Sequence, residues 1–131
     1  MRSFLVCIAL FSAFFTFAQQ TEIKGKLEDT GKSVEKVTRL ARKGKIYLVD
    51  VRTPEEYRTG HLKYAQNIDF KSAEFKENVG KLQKKKSVYL YCRSGNRSGK
   101  AVDTLKILGF ADAVNIGGFE NLKKEGLPTE Q

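Results

Sequence analysis

The residue best placed for chemistry is Cys92. It closes the run Ser87-Val88-Tyr89-Leu90-Tyr91, continuously β-favouring in the manner of strands covered on both faces, and it precedes Arg93-Ser94-Gly95-Asn96-Arg97-Ser98 and then a helical pattern. In open α/β sheets, ligands sit beyond the carboxyl ends of the strands. Gly95 can take the positive φ of a tight loop. A loop curled round one atom turns successive N–H groups inward and forms a nest for an anion. The positive end of the following helix adds to that field, as do the charges of Arg93 and Arg97. Each contribution favours thiolate over thiol, so Cys92 is expected to ionise below the ~8.5 of a free cysteine. Such a thiolate is a nucleophile suited to covalent catalysis.

Few other side chains compete for a chemical role. His61, the single histidine, could serve as a general base, but a thiolate needs none; its expected part is to fix a turn by hydrogen bonding. Asp50, Arg52 and Glu56 follow or end a strand pattern and are expected to form a structural network there. Tyr89 and Tyr91 alternate along one strand and read as core. With one His and no cluster of carboxylates around it, a structural zinc site is not expected.

The elements that must position Cys92 follow from local patterns. Val34, Val37, Leu40 and Ala41 recur at helical spacing, with Ser33 available as a cap and Gly44 as a stop. Ile46 to Asp50 is a strand. Thr53-Pro54-Glu55-Glu56 starts a short helix with a capping box and Pro at the first position, and Gly60 ends it. Residues 65–69 form a second strand, and Ser72 is expected to cap a helix carrying Phe75, Val79 and Leu82. Residues 87–91 form a third strand. Ala101, Val102, Leu105 and Leu108 mark a helix closed by Gly109, residues 113–116 a fourth strand, and a last helical segment runs to about Lys124. This alternation predicts an α/β fold in one domain, a central parallel sheet with helices on both faces.

The first 18 residues differ from the rest. They hold Arg2, no acid and five of the nine Phe, and end Thr16-Phe17-Ala18. This is the layout of a signal peptide cleaved after Ala18, and the apolar run is short for a span of about 20 residues. The expected organisation is a signal peptide at 1–18, a polar tail at 19–32 and one domain at 33–131, exported to the periplasm or another extracytoplasmic space without stable membrane insertion. Cys7 would leave with the leader, so Cys92 would be the one remaining thiol and no intramolecular disulfide could form. Without Arg2 the chain has 23 Lys and Arg against 15 Asp and Glu, a net charge of +8. That balance suits small anions. No nucleic-acid module is present, so no nucleic-acid partner is expected.

Three segments in order resemble the rhodanese family. Asp50-Val51-Arg52-Thr53-Pro54-Glu55-Glu56-Tyr57 with Gly60-His61 and Ala65-Gln66-Asn67-Ile68 resembles its first signature. Cys92-Arg93-Ser94-Gly95-Asn96-Arg97-Ser98 resembles its active-site loop, and Asn115-Ile116-Gly117-Gly118-Phe119 with Glu125-Gly126-Leu127-Pro128 its closing segment. The exported, single-domain layout is most similar to the periplasmic phage-shock type. Two positions depart from the pattern: Leu122 stands where many relatives carry Trp, and Tyr64 replaces a small or polar residue.

The resemblance implies a sulfurtransferase in which Cys92 takes the outer sulfur of thiosulfate or a similar anionic donor. The Cys92 persulfide would then pass it to cyanide or a thiol. The loop of residues 93–98 would hold that persulfide, Arg93 or Arg97 would attract the donor, and no cofactor is implied. A monomer is expected. Two other readings compete: a non-catalytic sulfur-sensing or protein-binding module, and a cysteine-dependent phosphatase or arsenate reductase. Phosphatases of the related cell-cycle type place five residues between Cys and Arg, whereas four stand between Cys92 and Arg97. The smaller ring suits a single sulfur.

Overall fold

The computed structural model describes residues 34–131, so the expected leader, tail and Ser33 cap lie outside the described residues. Helix α1 (Val34–Arg42) ends with Gly44 at φ 64°, the left-handed stop that its sequence requires. Strand β1 (Tyr47–Asp50) leads to α2 (Pro54–Arg58), whose capping box is complete: Thr53 Oγ1 accepts from Glu56 N, and the Glu56 carboxylate accepts from Thr53 N. Short strands β2 (His61–Leu62) and β3 (Gln66–Asn67) follow, then α3 (Phe75–Gly80). Next come β4 (Val88–Cys92), α4 (Asn96–Ile107), β5 (Ala113–Gly118), α5 (Phe119–Lys124) and β6 (Thr129–Glu130).

The main sheet is parallel throughout, in the order β3-β1-β4-β5. Val49, Val88, Leu90 and Cys92 point to one face and pack with Phe75 and Val79 of α3 and Ala101, Val102 and Leu105 of α4. Strand alternation sends Leu48, Asp50, Tyr89 and Tyr91 to the opposite face. There Phe119 of α5 stacks on Tyr91 with ring centroids 6.2 Å apart. Both β4 tyrosines are fully buried, as a strand covered on both sides demands. The expected α/β architecture with helices on both faces is what the chain forms.

Two local details differ from the sequence reading. Helix α3 begins three residues after Ser72, and its cap position, Glu74, makes no side-chain cap bond; Ser72 Oγ instead accepts from Glu74 N and bonds the Glu74 carboxylate in the turn before the helix. Strands β2 and β6 form a separate antiparallel pair, His61 opposite Glu130 and Leu62 opposite Thr129. Two-residue strands carry no periodicity, so no local pattern announces them.

The chain leaves β1 towards β3 on one side, whereas it leaves β4 through α4 towards β5 on the other. The carboxyl ends of β1 and β4 therefore flank the switch point of the sheet, where a crevice opens. The register Asp50 opposite Tyr91 brings the segment after Asp50 beside the segment after Tyr91, which begins at Cys92.

Candidate active site

Cys92 is the last residue of β4, and α4 starts four residues later at Asn96. Gly95 makes that distance possible: its φ of 91° bends the loop back over the sulfur. Gly95 N donates to Cys92 Sγ at 3.0 Å, and Ser98 Oγ lies 3.4 Å from the same sulfur. Cys92 itself has no solvent exposure, while Arg93, Ser94 and Asn96 above it are exposed. The thiol is thus neither inert nor open at the surface; it is buried among donors. Burial alone would push it up, but the Ser98 hydroxyl and the backbone N–H groups of Ser98, Ser94 and Gly95 prevail and lower it below the ordinary thiol range.

Ser98 has one hydroxyl proton and two acceptors. Its oxygen is 2.8 Å from Asn115 Oδ1 and 3.4 Å from Cys92 Sγ. The proton serves one of them at a time. Turning it to the sulfur costs little, because Asn115 Oδ1 keeps the bond from Gly117 N at 3.0 Å. Asn115 also donates from Nδ2 to Gly95 O at 2.9 Å, which clamps the loop from the neighbouring strand. Sequence reasoning placed Asn115 in a motif but gave it no role at the site. Its part follows from β4 and β5 being neighbours.

Gly118 permits the last close approach. A Cβ at this position would sit 2.5 Å from the Arg93 carbonyl oxygen and 3.3 Å from Ser94 Cα, so backbone packs on backbone here. The pairing of β4 with β5 shifts register between Leu90 and Tyr91, which moves the glycine pair opposite Tyr91 and Cys92.

The residues grouped in the sequence as one strand-end network divide into two. Asp50, fully buried, holds Arg52 through Nε at 2.9 Å and Nη2 at 2.6 Å, and Arg52 Nη2 also donates to Gly60 O at 2.7 Å. Glu56 instead reaches the loop: Arg97 Nη1 and Nη2 donate to its two oxygens at 2.8 and 3.0 Å. The Arg97 hydrogen bonds, partly opposed by burial, hold the Glu56 carboxyl well below its usual range, down to about 2. Arg97 therefore arrives at the loop with its charge already matched, whereas Arg93 is exposed. His61 Nδ1 lies 2.9 Å from Tyr57 O, and its ring stacks on Tyr57 at 3.7 Å, tying the turn after α2.

A model of the rhodanese-like domain family matches residues 33–125, most of the chain. The protein belongs to the rhodanese-like family. Among its relatives, the uncharacterized protein YqhL of Bacillus subtilis is 39% identical over 77 residues, covering 58% of this chain and 60% of that one. The thiosulfate sulfurtransferase PspE of Escherichia coli is 32% identical over 74 residues, 56% of this chain and 71% of that protein. A solved E. coli structure described as rhodanese with anions superposes with a TM-score of 0.56 at 29% identity, covering 65% of this chain and 96% of that one. This chain spans about three fifths of YqhL and 19% of the larger adenylyltransferase/sulfurtransferase MoeZ of Mycobacterium tuberculosis, a probable enzyme 38% identical over 74 residues. The family thus includes sulfurtransferases among this rhodanese-like domain's relatives.

Proposed function

We propose that the protein transfers a sulfane sulfur from thiosulfate, or a similar anion, to a thiophilic acceptor through Cys92. The observation that carries the reading is a buried sulfur surrounded by Gly95 N at 3.0 Å, the Ser98 hydroxyl and the start of α4. Such a cradle fits one sulfur atom and favours its anion. In the first step the Cys92 thiolate attacks the outer sulfur of thiosulfate. The bond between that sulfur and the sulfonate group breaks, and its electron pair leaves with sulfite. Cys92 becomes a persulfide anion, whose charge the loop N–H groups and the Ser98 hydroxyl stabilise.

An acceptor then attacks the outer sulfur, the disulfur bond breaks, and the Cys92 thiolate returns; cyanide would leave as thiocyanate. The exposed Arg93 is the cation free to meet a dianionic donor at the rim of the loop. Arg97, paired with Glu56, shapes the loop instead. Intact mass after thiosulfate treatment tests the reading: the expected result is a gain of one sulfur on Cys92, reversed by dithiothreitol. Phosphatase activity on an aryl phosphate, without sulfur loading, would replace it with the phosphatase reading. Export belongs to the same proposal, supported by the composition of residues 1–18, and a periplasmic fraction containing protein that starts at Gln19 is the expected result.

A further inference from the structure

Beside the Cys92 loop lies a cavity of about 690 Å³, within the range of ligand pockets. Thiosulfate has five heavy atoms and would occupy a small part of it. Arg93, adjacent to Cys92, forms one wall, and Arg52 and Phe119 also line it. Arg52 is 5% exposed and rigidly held: Asp50 and Gly60 O engage its Nε and Nη2, and the Phe119 ring lies 4.4 Å from its Cζ. Its Nη1 has no hydrogen-bond partner among the described residues. A buried guanidinium edge left over after its structural bonds, in a residue that lines a cavity, is a reader for a planar anion such as a carboxylate. Lys123 adds a second cation, while Glu120 and Glu130 line the same cavity with negative charge.

We infer that this cavity is the acceptor subsite, and that it takes a low-molecular-weight thiol carrying both a carboxylate and an ammonium group. The inference rests on the sulfur-transfer reading. The carboxylate meets Arg52 Nη1, Arg93 and Lys123, and the ammonium meets Glu120 and Glu130. The acceptor thiol, having lost its proton to solvent, attacks the outer sulfur of the Cys92 persulfide. A new disulfur bond forms, the bond from that sulfur to Cys92 Sγ breaks, and the electron pair returns to Cys92 as thiolate. The product is the acceptor's persulfide anion.

The test uses full-length protein loaded with thiosulfate, its persulfide verified by mass and its melting temperature checked. Discharge rates, corrected to the thiolate form of each acceptor, are measured for L-cysteine, cysteamine (no carboxylate) and 3-mercaptopropionate (no ammonium). The expected preference for L-cysteine is about fivefold over each, the scale of a partly exposed ion pair. Lys123→Gln should erase the preference over cysteamine, and Glu120→Gln with Glu130→Gln that over 3-mercaptopropionate, each leaving the other preference in place. Equal rates for the three thiols in the wild type, or variants that change neither ratio, would overturn the subsite. Absence of the loaded sulfur would instead overturn the sulfur-transfer reading itself. The wild-type comparison decides the matter even if a variant does not fold.

Discussion

Arg97 and Glu56, 41 residues apart, are joined by two hydrogen bonds of 2.8 and 3.0 Å that tie the Cys92 loop to helix α2. The pair makes the loop depend on acid. Because the folded carboxyl is lowered to about 2 from an ordinary 4.5, its stabilisation is complete above about pH 4.5 and is lost as pH falls towards 2. Glu56→Gln should cost about 1 kcal/mol at neutral pH and flatten the stability profile over that acidic window. Urea melts at a series of pH values check both effects. Equal slopes for the two proteins below pH 4.5 would mean that the pair contributes nothing.

Cys92→Ser should abolish persulfide formation while keeping the fold. The hydroxyl is close to the thiol in shape but is not ionised at neutral pH. Intact mass after thiosulfate should show no added sulfur, and the thermal transition should stay within a few degrees of the wild type. Thiocyanate production near the wild-type rate would remove Cys92 from the mechanism.

Ser98→Ala should raise the Cys92 pKa, since Ser98 gives the sulfur its side-chain hydrogen bond. A bond to a charged acceptor is worth about 1.5 kcal/mol, or roughly one pKa unit. Below that pKa the thiolate population falls about tenfold. The rate of iodoacetamide alkylation against pH reads it directly, with the midpoint expected to move to higher pH. An unmoved midpoint would assign thiolate stabilisation to the backbone N–H groups alone.

Gly118→Ala should damage the loop without touching a reacting atom. The added methyl would sit 2.5 Å from the Arg93 carbonyl oxygen, and neither backbone can yield without moving the other. Overpacking of this kind costs about 1–3 kcal/mol. Persulfide loading should slow together with the loss of stability, as stopped-flow loading and calorimetry would show.

Tyr64→Asn should stabilise the domain. Tyr64 is the one non-glycine among the described residues with positive φ, 71°, and its side chain is exposed. Asn tolerates that conformation better, and the lost contact of Lys63 Nζ with the ring at 5.5 Å is weak. The expected gain is about 0.5–1 kcal/mol in denaturant melts. A lower midpoint would show that the tyrosine ring outweighs its backbone strain.

The features that the sequence alone determined are those built from neighbours in the chain. Thr53, Pro54 and Glu56 make a helix start among themselves, and the apolar run before Cys92 makes a buried strand. Gly95 lets the loop close over the sulfur, so the nucleophile and its cradle were legible before any coordinates. Other features needed the sheet. Glu56 could be assigned to Asp50 and Arg52 by proximity in sequence, but the parallel register of β1 and β4 carries it across to Arg97. Asn115 clamps Gly95 and competes for the Ser98 proton because β5 lies next to β4, with a register shift that no local pattern encodes. The complete burial of Cys92 likewise comes from α3 and α4 packing over one face of β4. Short-range rules fix backbone conformation and the chemistry of adjacent groups; which distant charge meets which is decided by strand order and register, where a shift of one residue sends every side chain to the other face.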